Sequence, residues 1–262
     1  MKIAVVLRQT VDLVEELELS EDGTDIEREY VTLKLSEWDE QALEEALLLA
    51  EETGGEVGVI ALDEPDVEQI LYTALAKGAA HATKLMGLPD DLRWSGPRAA
   101  ILAEWLGGGG FDLVLTGVQT TEDLDGQISG LLAGRLGLPH AAAIIGVHAD
   151  DGGHTVTVEQ ELAGGVVHEL AVELPAVIGV QSSRRPPRYV PISRIRAAIS
   201  AGGIEEVAAP AIPGEAIGVR RLFAPRSSSQ AEMLVGDADA VAERLAAILA
   251  ERGIVSRLGG VA

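Results

Sequence analysis

The feature that most restricts this chain is an alternation of short apolar runs with helical patterns through its first 145 residues. Ile3 to Leu7 is an uninterrupted run rich in Val and Ile, without the polar alternation of a half-buried strand, so it suits a strand covered on both faces. In SEWDEQALEEALLLAEE, Ala42, Leu43, Ala46, Leu47 and Ala50 recur at helical spacing, Ser36 stands three residues before Asp39 as a near capping box, and Gly54-Gly55 follows. The spacing predicts a helix over 37–52. VGVIAL then reads as a strand, VEQILYTALAKG as a helix stopped by Gly78, and HATKLM as a strand. Pro97 to Leu106 reads as a helix, FDLVLTG as a strand, and DGQISGLLAGRLG as a helix. Strands that alternate with helices of these lengths need crossover connections and therefore a parallel sheet with helices on both sides. The expected class is α/β, a doubly wound and mostly parallel sheet whose ligands lie beyond the carboxyl ends of its strands.

Beyond residue 145 the pattern changes. HTVTVEQELAGGVVHELAVEL alternates apolar and polar residues about Gly164-Gly165, the mark of an antiparallel hairpin, and PAVIGVQSS is one more buried strand. From Ala201 to Ser229 the chain is rich in Gly, Pro and Ser and reads as an extended arm, followed by an amphipathic helix over 237–252. The division this implies is an α/β domain over 1–200, hairpin included, and a C-terminal arm and helix over 201–262.

Composition removes several classes of function. The 262 residues contain no cysteine, so disulfide scaffolds, thiolate metal sites and cysteine nucleophiles are excluded. Against 20 basic side chains stand 42 acidic ones, and a formal charge of -22 repels phosphate backbones, so no nucleic-acid partner is expected. No apolar stretch reaches about 18 residues, and the first apolar run is cut short by Arg8, so no membrane insertion and a cytoplasmic location are expected. The five histidines show no metal-ligand spacing, and neither G-x-S-x-G nor a phosphate-binding lysine motif occurs, so neither a metal nor a catalytic residue is expected. Paired acids abound in so acidic a chain, so no single pair is informative and such pairs read as a solvated helix face.

Two segments remain as functional candidates. GVQTTEDLDGQISG joins a strand end to a helix whose first turn holds Gly126, Gln127 and Ser129, where free N–H groups attract an anion. Glu122, Asp123 and Asp125 oppose a bare phosphate there, and an ordinary strand-to-helix connection is the alternative. Between Arg184 and Arg196 the chain carries five arginines, three prolines and no acid. Those arginines either pair with the chain's own acidic surface or belong to a docking patch in which Tyr189, Ile192 and Ile195 are apolar anchors.

Taken in order, these segments resemble the β subunit of electron transfer flavoproteins. MKIAVVLRQTVD is similar to that family's opening strand and loop, SEWDEQALEEALLLAEETGGEV to its Asn-Pro-Phe-Asp helix, and EQILYTALAKGAAHATKL to its Ala-Leu-Ala-x-Gly-Ala segment. FDLVLTGVQTTEDLDGQISGLLAGRLGLPH resembles its nucleotide loop, ELAGGVVHELAVELPAVIGV its Gly-Gly hairpin and Leu-Pro-Ala-Val strand, and PPRYVPISRI its recognition loop. The resemblance implies a Rossmann-like fold of the adenine-nucleotide-binding superfamily in an electron carrier without catalytic residues of its own. It implies a heterodimer in which an α subunit holds most of the FAD and the C-terminal arm and helix pack on that subunit. It also implies a structural AMP in the β subunit. Electrons would pass from flavin dehydrogenases, such as acyl-CoA dehydrogenases, to a quinone oxidoreductase or other acceptor.

Residue by residue, the resemblance places the AMP pocket on Leu7, Ser36, Glu37, Trp38, Asp39 and Asp63, and on Gly117, Val118, Gln119, Thr120, Asp123, Asp125, Gly126 and Gln127. Leu13 and Trp38 fall near the FAD. Pro187, Arg188, Tyr189, Ile192 and Ile195, within 184–198, fall on the surface that meets dehydrogenases. Ser36-Glu37-Trp38 departs from the family's Asn-Pro-Phe, and Leu124 stands where the family has Asp. The alternative to this reading is a stand-alone adenine-nucleotide-binding protein of the stress or sensor type.

Overall fold

A computed structural model describes residues 1–14, 16–88, 92, 94–123, 125–150, 152–211, 218–224 and 233–254. Its first unit, Met1–Leu222, holds β1 (Lys2–Val6), β2 (Gln9–Val11), β3 (Leu33–Leu35), α1 (Glu37–Thr53), β4 (Glu56–Leu62), α2 (Val67–Lys77) and β5 (His81–Met86). It continues through α3 (Ser95–Gly107), β6 (Leu113–Gly117), α4 (Ile128–Leu136), β7 (His140–Ala149), β8 (Thr155–Leu162), β9 (Val166–Glu173), β10 (Ala176–Val180), α5 (Ile192–Ala201) and β11 (Ile204–Ala208). The second unit, Phe223–Ala262, contains α6 (Ala238–Glu251), capped by the Asp237 side chain, which accepts the Ala240 N–H.

One nine-stranded sheet runs in the order β11-β5-β4-β1-β6-β10-β7-β8-β9. Its strands are parallel from β11 to β7, and the β8–β9 hairpin adds antiparallel to β7. Along β1 and just past its end, Ile3, Val5 and Leu7 face a core shared with α1 and α2, whereas Ala4 and Val6 face one shared with α3 and α4. Successive side chains of a strand point to opposite faces, so a strand covered on both must be apolar at every position. That requirement made the run legible in the sequence. From β1 the chain builds outward through β4 and β5, then returns with β6 on β1's other side, so the strand order reverses between β1 and β6. Connections leave the carboxyl ends of those two strands in opposite directions, which opens a crevice there.

Helix α1 ends as its glycines predict, with Gly54 at φ 67° and its N–H bonded to the Ala50 carbonyl. Its start differs from the expected near capping box. Ser36 is the N-cap residue, but its hydroxyl makes no capping bond and lies buried without a partner.

Two strands of the nine-stranded sheet run through segments where the sequence shows no strand pattern. β7 spans an alanine-rich stretch without alternation, because it lies inside the sheet between parallel β10 and antiparallel β8. β11 lies in the segment expected to be an arm, so the sheet continues past the boundary placed at 200. Its glutamates are tolerated because it is an edge strand, and one of them is fixed from below. Lys84 on β5, only 5% exposed, lies with its Nζ 3.0 Å from Glu206, 2.5 Å from Glu68 and 3.6 Å from Asp63. The hydrogen bond from Lys84 holds the Glu68 carboxyl below its ordinary range. A carboxylate lowered on folding stabilises the fold above its unfolded pKa, about 4.3 for Glu, and loses that contribution as pH falls through the lowered value. Lys84→Met, which removes the ammonium that holds Glu206 as well as Glu68, is expected to raise hydrogen exchange in the β11 amides at pH 7. Equal protection in the variant would show that β11 is held by other contacts.

Among the described residues no helix is long and apolar enough to cross a membrane, and no group of three His, Asp or Glu side chains could hold a metal ion.

Candidate functional site

The crevice at the carboxyl ends of β1 and β6 is closed by a buried ion cluster. Arg8, 4% exposed, follows β1 and turns its guanidinium inward. Its Nε and Nη2 donate to Asp39 Oδ2 and Oδ1 at 2.9 and 2.8 Å, its Nη1 donates to Asp123 Oδ2 at 2.7 Å, and Nη2 also reaches the Gly117 carbonyl at 2.9 Å. Asp39, fully buried in the first turn of α1, also accepts the backbone N–H groups of Arg8 and Gly117 at 2.9 and 2.7 Å. Burial opposes the charge on Arg8, but Asp39 and Asp123 outweigh it and hold the guanidinium above its ordinary pKa. One aspartate thus ties the ends of β1 and β6 to α1. Gly117 is required for this approach: a Cβ there would lie 2.6 Å from Asp39 Oδ1 and from the Trp38 carbonyl carbon.

The loop from Gly117 to α4 folds back on itself. Thr120 Oγ1 accepts the Asp123 N–H at 2.9 Å, Asp123 Oδ1 accepts the Gly126 N–H at 3.2 Å, and Ser95 Oγ accepts the Gln127 N–H at 3.2 Å. The same Ser95 hydroxyl lies 2.6 Å from Asp123 Oδ1 and 2.5 Å from Asp125 Oδ1. A hydroxyl has one proton to donate, so it serves only one of the two carboxylates at a time. Burial, reinforced by Asp125, accordingly lifts the Asp123 carboxyl above its ordinary value.

On the far side of α1 the arginine-rich segment lies along the helix. Ser183 N–H and Oγ donate to Gln41 Oε1 at 2.9 and 2.6 Å. Arg184 bridges Glu45 and Glu52, and Arg188 bridges Glu44 and Glu51, at 2.6–2.9 Å. Each arginine spans two acids seven residues apart, two turns of one helix face. Glu44 and Glu45 are buried as a result, and Glu45 Oε1 also accepts the Val147 N–H at 2.8 Å. Hydrogen bonding to Glu44 and Glu51 raises the Arg188 guanidinium above its ordinary pKa although burial opposes it. Arg184 and Arg188 therefore pair with the chain's own acids, while Arg185, Arg194 and Arg196 are exposed and no ion pair is seen for them among the described residues. Beside them Tyr189 and Ile192 are 84% and 64% exposed, and Pro187 and Ile195 are half-buried.

The Electron transfer flavoprotein domain profile matches residues 24–212. The chain is 31% identical to the electron transfer flavoprotein subunit beta of Methylophilus methylotrophus over 96% of its own length and 98% of that protein's. The chain belongs to the electron transfer flavoprotein family. Two further relatives are the subunit beta of Syntrophomonas wolfei subsp. wolfei, 34% identical over 76% of each chain, and the mitochondrial subunit beta of Oryza sativa subsp. japonica, 32% identical over 76% of this chain and 79% of that one.

Among the described residues, those expected to hold AMP are partly buried about the ion cluster and partly exposed. Leu7, Ser36, Asp39, Gly117, Thr120 and Asp123 are buried in or beside the ion cluster. Val118 pairs its N–H with the Val180 carbonyl, and Asp63 turns toward Lys84. Glu37, Gln119 and Gln127 are exposed, and Trp38, Asp125 and Gly126 are half-buried. Leu124 lies outside the described residues. A cavity of about 710 Å³ lies next to the crevice, but none of the expected residues lines it; its wall includes Gln9, Arg28, Glu64, Asp66, Arg98 and Glu122. Leu13, 59% exposed, borders a shallow recess of about 120 Å³ with Val11, Leu17 and Ile26.

Arg8 and Ser95 are the site residues that sequence reasoning missed. The only signal for Arg8 was a charge directly after a strand that is apolar on both faces; Ser95 gave none.

Proposed function

We propose that this chain is the β subunit of an electron transfer flavoprotein heterodimer, an electron carrier that helps to enclose an FAD held mainly by an α subunit. Electrons would arrive from flavin dehydrogenases, acyl-CoA dehydrogenases among them, and leave to a quinone oxidoreductase or other acceptor. The observation that carries this reading is the strap from Ser183 to Arg188. It uses two arginines to fix a segment on α1 and leaves Tyr189, Ile192 and three further arginines facing outward on a chain of net charge -22. Apolar anchors ringed by charge suit transient docking of another protein.

The residues present fit an FAD shared with a partner. Ligand-holding pockets usually measure about 300–1,000 Å³, and the recess at Leu13 is well below that, so Leu13 can cover a flavin but this recess cannot contain one. When bound, the flavin supplies the redox chemistry; this chain's part is to exclude water from it and to present the docking segment. In the second unit α6 has no buried residue, and Met233 and Val235 before it are exposed, as suits an arm that packs on the α subunit. Coexpression with an electron transfer flavoprotein α subunit is expected to yield a yellow heterodimer with one FAD. A colourless mixture that does not associate would refute the proposal.

A further inference from the structure

We infer that Arg8, Ser95 and the Asp123 carboxylate, and not a nucleotide phosphate, fasten the loop ahead of α4, and that the charge of Asp123 and Asp125 there excludes such a phosphate. The inference concerns the AMP that the proposed β-subunit role implies, and it holds whether or not an FAD is shared with a partner.

An anion at a helix N-terminus needs uncommitted N–H donors and a favourable local charge. The second is lacking ahead of α4. The N–H groups of Gly126 and Gln127, just ahead of the helix, already donate to Asp123 Oδ1 and Ser95 Oγ. The cation of the site, Arg8, has Nε, Nη1 and Nη2 all engaged by Asp39, Asp123 and the Gly117 carbonyl. Asp123 and Asp125 already crowd one hydroxyl, so a phosphate of charge about -1.5 to -2 would be a third anion in a half-buried space. The adjoining large cavity offers no alternative seat. Its arginines are paired, Arg28 with Asp25 and Glu122 and Arg98 with Glu64, and Glu29 and Asp66 add further negative charge to its wall.

The internal cluster also does what a bound nucleotide would do mechanically. It joins β1, α1, the end of β6 and the start of α3 through four side chains: Arg8, Asp39, Asp123 and Ser95. The adenylate is then dispensable to the fold.

The test is to heat-denature the purified chain, alone and in its yellow complex, and to quantify nucleotides in the supernatant by mass spectrometry. No AMP above background is expected in either preparation, with FAD in the complex only. One equivalent of AMP in either overturns the inference, while the FAD content reports separately on the subunit role. Thermal melts with added AMP give a second readout. A hundredfold excess over the dissociation constant would raise Tm by several degrees if AMP bound, and no shift is expected. In the double variant Asp123→Asn, Asp125→Asn, which removes both charges and keeps the side-chain shapes, AMP is expected to raise Tm. A folded double variant that still ignores AMP would show that the carboxylates are not what excludes it, and would overturn the assignment.

Discussion

Arg8→Met is expected to lower the stability of the first unit by about 3–5 kcal/mol, the usual cost of removing one partner from a buried ion pair. The substitution nearly preserves apolar volume, so the loss is electrostatic. Asp39, fully buried, and Asp123, 3% exposed at its side chain, are left without their cation. For a unit of this size each kcal/mol moves Tm by about 2–4 °C, so a fall of roughly 10 °C is expected in thermal denaturation. Arg8→Lys is expected to fall between, because an ammonium cannot hold Asp39 through two atoms while reaching Asp123. A loss below about 1 kcal/mol, the range of exposed pairs, would show that the cluster does not anchor the fold.

The second large effect is kinetic. Truncating a central apolar anchor of an interface typically costs about 2 kcal/mol, close to thirtyfold in affinity. Ile192→Ala is therefore expected to slow reduction of the complex by a dehydrogenase to a similar degree below saturation, with FAD content unchanged. Stopped-flow measurement of flavin reduction reads this directly. The arginines divide into two groups. Arg185, Arg194 and Arg196 face solvent, so their reversal to Glu is expected to change mainly the association rate and its salt dependence. Arg188 lies on Glu44 and Glu51, so Arg188→Ala acts by loosening the strap and uncovering a buried glutamate. Unchanged reduction in Ile192→Ala would refute the docking assignment.

What was legible in the sequence follows from the range of the interactions involved. β1 and α1 are specified by their own residues, through a strand apolar at every position and a helix with one apolar face and a glycine stop. β11 draws its strand character from β5, far back along the chain, and β7 takes its place inside the sheet only once β10 has been added beside it. The acids of α1 read as a solvated face because the arginines that bury Glu44 and Glu45 lie 144 and 139 residues further on. The ion cluster was hidden for the same reason. Arg8 meets Asp39 across 31 residues and Asp123 across 115, and no local pattern announces either meeting. The resemblance assigns Asp39 and Asp123 to one pocket, and in the fold both accept hydrogen bonds from Arg8.

The position of β10 between β6 and β7 bears on how the chain is made. β6 is complete at Gly117 and β7 at Ala149, yet the strand that joins them ends at Val180, after the whole hairpin has been synthesised. Until then both strands present unpaired backbone edges, the surfaces most prone to wrong pairing between nascent chains. Closing the sheet is thus a late, long-range event, slow by the rule that distant contacts delay folding. A nascent chain stalled between those points carries the aggregation hazard that the finished protein has buried.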